Sequence, residues 1–467
     1  MKKIMLVITV ICLGLIATFF LLKESDVVII NPNPKSENSW VGDVMPFHDG
    51  KQWQIFYLED HRDGEIGFHP FSLFQTNDFV EYKDKGIVIP YINEELSQER
   101  ALGTGSIIKD KEGLYHAFYT AHNGSLDIAE AIMHATSKNL TKWDKKTDEM
   151  FYGDSQYQRN DFRDPFVIFN EEEQKYWMLI TTRKDDRGVI AKYTSTDLSN
   201  WEDEGVFFEN DLGTDGNLEC PSMVFYKGKW YLSFSDQWPD RVTHYRVSDS
   251  MNGPFEKPTG LDHWDSNAFY AGQIQKDSED QLFVFAWVPT KENHDDNKEY
   301  NWAGNLVVHK LKQNSDGSLS AQVPDSVREF YESKNAPTVS PLQDSAIRFK
   351  QNDTQTYIKG SVEFDEDSEF GFSFNSKDDY PSQLNIMIQD SVISYHNNYL
   401  KYIDSSTPLT KLQISDPTSF DFELFINGEI ITFYINGEHA FTNRLLLAKD
   451  NDFDFFVRSG NATLKLD

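Results

Sequence analysis

The segment Tyr176-Trp177-Met178-Leu179-Ile180-Thr181 is an aromatic-rich apolar run of the kind that forms a β-strand. Four comparable runs occur in the chain, at residues 53–58, 115–120, 230–235 and 282–287. They recur at intervals of roughly 50 to 60 residues, which leaves room for about four strands in each unit. The repeat therefore predicts a five-bladed β-propeller over residues 40–325, with a large β-sandwich as the competing interpretation.

The composition of the whole chain also favours an all-β protein. Aromatic residues make up 14% of the 467 residues, and glycine and proline punctuate many short apolar runs. A chain of this length is too long for one ordinary core, so we expect two domains. Residues 337–467 contain shorter alternating runs and the hairpin signals Asn427-Gly428 and Asn436-Gly437. They predict a C-terminal β-sandwich, joined to the propeller by a linker over 326–336 with a short helix.

The charge and the cysteine content exclude several function classes. A formal net charge of −31 argues against nucleic acid and anionic membrane surfaces as partners, because no basic cluster could neutralise phosphates. Cys12 and Cys220 are the only cysteines, so the folded body holds neither a disulfide nor a thiolate metal cluster. We expect no metal and no cofactor, since metal-ligand spacing is missing among five histidines of the first region: His48, His61, His69, His116 and His122. A neutral ligand such as a sugar is compatible with this composition.

The first 25 residues have the pattern of an export signal. Lys2 and Lys3 precede an uncharged apolar run over residues 4–22, which is close to the ~20 residues that span a bilayer as a helix. Basic residues on the N-terminal side predict that the body lies outside the cytoplasm. We therefore expect residues 1–25 to be a cleaved signal peptide or a single N-terminal membrane anchor, followed by a tether over 26–39. Both alternatives predict an extracellular or cell-surface protein.

A short segment about 12 residues before each aromatic run would line the axis of a propeller. These segments are Gly42-Asp43-Val44-Met45-Pro46, Gly103-Thr104-Gly105-Ser106, Arg163-Asp164-Pro165, Glu219-Cys220-Pro221 and Tyr270-Ala271-Gly272. Corresponding positions of the blades converge at one end of the channel, so we expect Asp43, Asp164 and Glu219 to share one register and one pocket. Crowded carboxylates cannot all ionise freely, and at least one should have a raised pKa. A proton donor beside a nucleophile or base is the arrangement that glycoside cleavage uses.

Several motifs resemble those of glycoside hydrolase family 32, the invertase, levanase and inulinase group. Three of them are Phe162-Arg163-Asp164-Pro165, Glu219-Cys220-Pro221 and Trp302-Ala303-Gly304. Gly67-Phe68-His69-Pro70-Phe71-Ser72 resembles the family's first-blade segment, and Gly103-Thr104-Gly105-Ser106 its second-blade segment. The resemblance covers nearly all of the chain after the leader.

The resemblance implies roles for particular residues. Asp43 would be the nucleophile of a retaining mechanism, Asp164 the transition-state stabiliser and Glu219 the general acid/base. Substrate contacts are expected at five further residues: Arg163, His69, Ser106, Tyr270 and Trp302. The substrate would be an oligo- or polysaccharide of the fructan or sucrose type, cleaved at a fructofuranosyl or related furanosyl linkage.

The first motif departs from the family's pattern, and this leaves alternatives open. The family usually has Asn-Asp-Pro-Asn-Gly there, whereas this chain has Gly42-Asp43-Val44-Met45-Pro46. The contacts to a fructosyl unit, and hence the exact sugar, stay undecided. An inverting pentosidase that cleaves arabinan or xylan on the same architecture is one alternative, and a non-catalytic glycan-binding propeller is another. The sequence also leaves open the linkage, exo or endo action, and hydrolysis or transfer.

Overall fold

The computed structural model describes residues 27–61, 69–237, 241–296, 298–334, 336–341, 346–374, 384–389, 392–397, 410–413, 418–446 and 452–467. The predicted leader over 1–25 and the Gly67-Phe68 pair lie outside these residues. Within the described part of the chain, no helix has the length and apolarity to cross a membrane.

The first part of the described chain is built from short antiparallel strands. Their bounds are β1 (Val27–Ile30), β2 (Trp40–His48), β3 (Trp53–Asp60), β4 (Phe71–Thr76), β5 (Glu81–Ile89), β6 (Ala101–Lys109), β7 (Tyr115–His122), β8 (Glu130–Ser137), β9 (Trp143–Lys145), β10 (Phe162–Asn170), β11 (Lys175–Lys184), β12 (Arg187–Ser195), β13 (Glu202–Glu209), β14 (Glu219–Tyr226), β15 (Lys229–Ser235), β16 (Thr243–Ser248), β17 (Tyr270–Lys276), β18 (Leu282–Lys291), β19 (Tyr300–Gln313) and β20 (Leu319–Gln322). Each aromatic run of the repeat lies in the second strand of its group: β3, β7, β11, β15 and β18. These strands are almost entirely buried, which explains why they carry aromatic residues on both faces.

The groups follow one another in an up-and-down order. Strands β6 to β9, β10 to β13 and β14 to β16 each form a separate sheet in sequence order. Strands β2 to β5 form another run of neighbours, and β17 to β19 pair beside it through a single bridge between Gly304 and Val41. The last group of the N-terminal part is therefore tied to the first, which removes a sheet edge that would otherwise be exposed.

The segment predicted to be a tether is partly structured. Val27–Ile30 forms β1 and pairs antiparallel with β5, with Val27 opposite Asp84. The segment predicted to be a tether over 26–39 therefore begins with a short edge strand. The physical reason is local: four consecutive β-branched residues favour an extended backbone, and the edge of β5 offers unpaired backbone groups to complete.

The C-terminal part consists of one helix and two further sheets. The helix α1 (Asp325–Glu332) lies where a short linker helix was predicted and buries Val327 and Tyr331. The strands that follow are β21 (Thr338–Pro341), β22 (Ile347–Lys350), β23 (Gln355–Phe364), β24 (Glu369–Phe374), β25 (Leu384–Gln389), β26 (Val392–Asn397), β27 (Thr410–Gln413), β28 (Ser419–Asn427), β29 (Ile430–Ile435), β30 (His439–Arg444), β31 (Asp452–Ser459) and β32 (Ala462–Leu466). One sheet has the order β21-β22-β31-β24-β25-β26-β27, and the other has the order β30-β29-β28-β23-β32.

The two C-terminal sheets share one apolar core, as a sandwich requires. Its centre is a cluster of buried aromatic side chains that includes Phe372, Phe422, Phe433 and Phe455. In β23 buried and more exposed residues alternate, which is the period-two pattern read from the sequence.

A buried hydrogen-bond network holds the C-terminal sheets against the N-terminal part. The ring of His309 lies 2.8 Å from Asp265 Oδ2 and 2.7 Å from the hydroxyl of Tyr434. The amide of Thr442 donates to Asp265 Oδ1 over 2.6 Å. Because these polar groups are buried, breaking one contact would leave a partner unsatisfied, so the two parts are held in a defined orientation.

Candidate active site

The first strand of each N-terminal group is interrupted at the same place. Register shifts occur between Val41 and Val44 in β2, Gly103 and Gly105 in β6, Arg163 and Phe166 in β10, Glu219 and Ser222 in β14, and Tyr270 and Gln273 in β17. A β-bulge inserts an extra residue into a strand and re-aims the neighbouring side chains. Three residues at these bulges have positive φ: Asp164 at 57°, Cys220 at 52° and Ala271 at 57°.

The bulges place the three carboxylates at three successive positions. Glu219 is the last paired residue before its bulge, at the position of Arg163 and Tyr270. Asp164 is the first residue of its bulge, as Cys220 is in the adjacent strand, and Asp43 is the second residue of its bulge. The prediction of one shared register is therefore corrected: the common feature is the bulge, and the three carboxylates differ in their position relative to it.

All three carboxylates line one cavity of about 360 Å³. The predicted substrate-contacting residues Arg163, His69, Tyr270 and Trp302 line it as well. Other lining residues are Leu58, Ala101, Leu102, Gly103, Thr104, Thr120, His122, Glu130, Cys220 and Gln237. This volume lies within the range of ordinary small-molecule sites, and the wall combines apolar surface with a few convergent polar groups.

Asp43 is held by hydrogen-bond donors on both carboxylate oxygens. The hydroxyl of Thr104 donates to Oδ2 over 2.5 Å, and the indole Nε1 of Trp287 donates to Oδ1 over 2.9 Å. Burial raises the pKa of the Asp43 carboxyl, and the nearby charge of Glu219 adds to the rise. The donors Thr104, Trp287 and Trp302 oppose it by stabilising the ionised form. The two donors therefore fix the orientation of the Asp43 carboxylate at the cavity wall.

Glu219 lies between the two residues that share its position in the adjacent strands. The Nη2 of Arg163 donates to Oε1 over 2.9 Å, and the hydroxyl of Tyr270 donates to Oε2 over 2.6 Å. Glu219 is only 7% exposed, so both contacts form away from bulk water. The two donors hold the carboxyl group at the cavity wall in one orientation.

Asp164 is the most deeply buried of the three carboxylates. The backbone amide of Cys220 donates to its Oδ2 over 3.0 Å, and its own amide donates to Thr120 over 2.9 Å. Burial raises the pKa of Asp164 to about 7; the positive charge of Arg163 opposes this rise, and the charges of Glu219 and Asp43 add to it. The raised pKa expected in a carboxylate cluster is thus found at both Asp43 and Asp164.

Ser106 is the one predicted site residue that does not line the cavity. Its hydroxyl donates to the carbonyl of Pro165 over 2.9 Å and accepts from the amide of Val167 over 2.9 Å. We therefore correct its predicted role: Ser106 connects β6 to β10 and fixes the bulge that carries Asp164. A substrate contact was expected at Ser106 because its motif resembles a family segment. Only the fold shows that this side chain lies between β6 and β10.

Sequence reasoning missed four residues that shape the site. Thr104 and Trp287 donate to Asp43, as described above. Glu130 lines the cavity, accepts the amide of Phe162 over 2.7 Å and lies 3.4 Å from Arg163. Arg241 has positive φ and lies over the rings of Tyr270 and Trp287, at 4.8 and 5.5 Å from their centroids. The one available signal was that Thr104 lies in the segment that corresponds, in the repeat, to the segment of Asp43; no sequence signal marked the other three residues.

Replacing Asp164 by Asn is expected to stabilise the protein above neutral pH. Because folding raises the pKa of Asp164 to about 7 from an ordinary 3.8, the wild type loses free energy of unfolding as the pH rises from about 4 through 7. Asn cannot ionise and avoids this loss. At about 1.4 kcal/mol per pH unit, the variant should gain ~2–4 kcal/mol at pH 8 and little near pH 4. Urea titrations of both proteins at several pH values would measure it.

A matched control is available at the same guanidinium. Asp161 accepts from Arg163 over 2.8 Å and its side chain is 28% exposed. Asp161→Asn should lose stability at pH 8 rather than gain it, because a favourable ion pair disappears without relief of a buried charge. Equal stability of Asp164→Asn and wild type across the pH range would contradict the raised pKa.

Comparison with known proteins places the chain in a family. A family model, the glycosyl hydrolases family 32 N-terminal domain, matches residues 35–323. The levanbiose-producing levanase of Geobacillus stearothermophilus is 26% identical over 247 residues, which cover 49% of this chain and 56% of the levanase. The chain thus spans about half the length of that relative. The sucrose-6-phosphate hydrolase of Streptococcus mutans is 21% identical over 436 residues, which cover 89% and 87% of the two chains.

Solved structures show the same fold. Fructan 1-exohydrolase IIa from Cichorium intybus superimposes with a TM-score of 0.74 at 16% identity, covering 93% of this chain and 95% of that protein. The likeness shows the fold alone, a β-propeller followed by a β-sandwich, as predicted from the repeat. The family model, which matches more than half of the chain, shows that the chain belongs to glycoside hydrolase family 32.

Proposed function

We propose that this chain is a glycoside hydrolase that cleaves β-fructofuranosyl linkages with retention of configuration at the anomeric carbon. The observation that carries the proposal is the convergence of Asp43, Asp164 and Glu219 in one cavity, each with different partners. Two carboxyl groups that face a glycosidic bond are the general requirement for its hydrolysis. The levanase, sucrose-6-phosphate hydrolase and fructan exohydrolase named above all have names that denote fructosyl substrates.

The three environments support three different roles. Asp43 would be the nucleophile, because donors on both oxygens favour its charged form and hold it in one orientation. Glu219 would be the general acid/base, because Tyr270 and Arg163 position it at the cavity wall. Asp164 would stabilise positive charge that develops on the sugar, because its carboxyl group is held at the cavity wall by the amide of Cys220 and carries a negative charge above its pKa of about 7.

We further propose that the antiparallel groups are five blades around one axis. Support comes from the equivalent bulge in the first strand of each group and from the pairing of the last group with the first through Gly304. In this arrangement the bulges face the same end of the channel, which is why side chains from distant parts of the chain meet. The alternatives of an inverting pentosidase or a glycan-binding module would use the same architecture.

The experiment that tests the proposal is a substrate screen with product analysis. Purified protein is incubated with sucrose, inulin, levan and arabinan, and ¹H NMR follows the anomer that is released first. We expect cleavage of at least one fructosyl substrate with the β-anomer formed first. Arabinan cleavage with inversion would favour the pentosidase. Sugar binding without cleavage of any substrate would favour the glycan-binding module. An Asp43→Ala preparation, purified in parallel, controls for contaminating hydrolases.

Gly42→Ala should lower activity without unfolding the protein. A Cβ atom at this position would lie 2.3 Å from Cη2 of Trp302, so the indole must move. Trp302 contacts Asp43 and packs against His69 with ring centroids 4.4 Å apart. Its displacement should reduce kcat/KM by roughly 10–100-fold, as expected when a site is misplaced by about 1 Å. Steady-state kinetics on the best substrate of the screen would measure the loss.

The control for this variant is Gly124→Ala. A Cβ there would meet only the His122 ring at 3.7 Å, an ordinary van der Waals contact. This variant should keep nearly full activity. If Gly42→Ala is equally active, Trp302 has no part in the site.

We also propose that the protein acts at the cell surface or outside the cell. The support is the sequence of the leader alone: Lys2 and Lys3 before an uncharged run over residues 4–22. Fractionation of cells that express the full chain, followed by protease treatment of intact cells, tests it. Protein that resists protease until lysis would contradict the proposal.

A further inference from the structure

The sheet formed by β14, β15 and β16 has fewer strands than its neighbours. Sheets β6 to β9 and β10 to β13 each have four strands, whereas this sheet has three. A regular fourth strand is replaced by two isolated bridges between β16 and the following loop: His244 with His263, and Val247 with Glu256. Two backbone bridges hold a long connection weakly, so side-chain contacts must contribute at this edge.

Three side chains of the types that can bind a metal ion lie together at the first of these bridges. The ligand atoms of His244, Asp262 and His263 all lie within 4.8 Å of one another. His244 Nδ1 is 3.1 Å from Asp262 Oδ1, and His263 Nδ1 is 3.6 Å from the same oxygen. Ligand atoms about 2.0–2.1 Å from a tetrahedral Zn²⁺ ion are separated from each other by roughly 3.3 Å. The two separations from Asp262 Oδ1 are therefore close to those of neighbouring ligands around one ion.

The hydrogen bonding of His263 points to a ligand. Among the described residues, its Nδ1 is buried and has no hydrogen-bond partner. The 3.6 Å to Asp262 Oδ1 is too long for a hydrogen bond. A buried nitrogen without a partner is rare in folded proteins, and a bound ion is one of its common explanations.

The surroundings orient the other two side chains for coordination. Asp236 Oδ1 lies 3.2 Å from Nε2 of His244, so an Nε2–H bond to Asp236 leaves the lone pair of Nδ1 on the side of Asp262. Arg246 donates to Asp262 Oδ2 over 2.7 Å, which leaves Oδ1 facing the two imidazoles. Arg246 is itself held by Asp211 over 2.6 and 2.7 Å. Carboxylate–histidine pairs of this kind accompany most histidine metal sites.

The charges of the cluster match a divalent cation. Three carboxylates (Asp211, Asp236 and Asp262) and one guanidinium (Arg246) leave a net charge of about −2 if both imidazoles are neutral. A dication would neutralise this charge. Nitrogen and oxygen ligands in tetrahedral spacing favour Zn²⁺ over Ca²⁺ or Mg²⁺, which prefer six or more oxygen ligands.

We propose that His244, Asp262 and His263 form a structural zinc site that fastens the connection between β16 and β17 to the edge of the three-stranded sheet. The side chains of His263 and Asp262 are 20% and 16% exposed, which leaves room for a water molecule as the fourth ligand. The site lies outside the residues that line the catalytic cavity, so it is independent of the proposed hydrolysis. It contradicts the expectation of no metal, which was drawn from the spacing of other histidines.

Metal binding by the full-length protein tests this proposal. After treatment with a chelator, the protein is titrated with Zn²⁺ by calorimetry, with Mg²⁺ and Ca²⁺ as comparison ions. We expect one Zn²⁺ per chain, with at least ~100-fold weaker binding of the other two ions. Zn²⁺ should also raise the melting temperature by ~2 °C or more. Replacement by Co²⁺ should give the intense visible bands of a tetrahedral site.

Two histidine variants distinguish Zn²⁺ binding at this site from binding to other histidines. His263→Ala should weaken Zn²⁺ binding at least ~10-fold and abolish the thermal shift. The matched control is His294→Ala, because His294 is also partly exposed and lies 3.5 Å from a carboxylate, Glu429. It should bind Zn²⁺ like the wild type. If His263→Ala fails to fold, His263→Gln and the Co²⁺ spectrum of the wild type replace it. No stoichiometric binding, or equal binding by the His263 and His294 variants, would overturn the proposal.

Discussion

Asp43→Asn is expected to reduce kcat/KM by roughly 10⁴-fold or more on natural and activated substrates alike. Without the carboxylate no covalent fructosyl intermediate can form, and no improvement of the leaving group compensates for that. Asn has the same shape as Asp, and its carbonyl oxygen can accept the hydrogen bond from Trp287. Its amide group then faces the hydroxyl oxygen of Thr104, which can accept a hydrogen bond. The loss should therefore come from chemistry rather than from a rearranged site. Initial rates on sucrose and on an aryl β-fructofuranoside would measure it.

Two controls make the result specific. Burial raises the pKa of Asp43, so a neutral side chain there should not lower the melting temperature. Asp144→Asn, at a carboxylate whose side chain is 76% exposed, should keep full activity. Added azide should not restore the Asp43→Asn variant, because the Asn side chain has the shape of Asp and still fills the space that an external nucleophile would need. Near-normal turnover by Asp43→Asn on either substrate would rule out the mechanism.

Much of the fold could be predicted because the signals are repeated. A single aromatic run such as 176–181 is ambiguous, but five runs at similar spacing fix the second strand of each group. The candidate site residues followed from the same repeat, since segments at a similar offset from those runs carry Asp43, Asp164 and Glu219. The alternating run at residues 420–426, in β28, and the Asn-Gly turns near 428 and 437 likewise marked the C-terminal sheets.

Other features depend on contacts that no local pattern encodes. Bulge geometry decides whether a side chain points into the cavity or between strands, and this separates Ser106 from Arg163. The different positions of Asp43, Asp164 and Glu219 relative to the bulge have the same origin. Trp287 reaches Asp43 across 244 positions of the chain. Long-range pairs of this kind are set by the packing of neighbouring sheets, so a single sequence without the fold does not reveal them.

The sequence also did not predict two features outside the candidate active site, the edge strand β1 and the histidine cluster. Val27–Ile30 has a clear preference for extended backbone, yet the prediction of a tether followed from its polar surroundings. His244 and His263 lie on a strand and in a loop, and only the bridge between them brings Asp262 into reach of both. Residues that are distant in sequence and unremarkable in type become a candidate site through one backbone pairing.

Glu219→Gln is expected to have an effect that depends on the leaving group. On sucrose or a fructan the rate should fall by roughly 10²–10⁴-fold, because the alkoxide that leaves needs a proton. An activated aryl β-fructofuranoside needs no proton, so its first turnover should stay within about tenfold of the wild type. Gln can accept from Arg163 and donate to the Tyr270 hydroxyl, so the site should keep its shape. Stopped-flow measurement of the released aryl alcohol compares the two substrates.

Azide distinguishes retention from inversion in the same variant. After the first turnover, Glu219→Gln lacks the base that activates water, and the fructosyl group should remain attached to Asp43. Azide needs no base to attack, so it should accelerate turnover of the aryl substrate and yield β-fructofuranosyl azide with retained configuration. The same addition should not accelerate the wild type, whose Glu219 already activates water. A Glu219→Gln protein equally inactive on both substrates, with no response to azide, would show that Glu219 is not the acid/base.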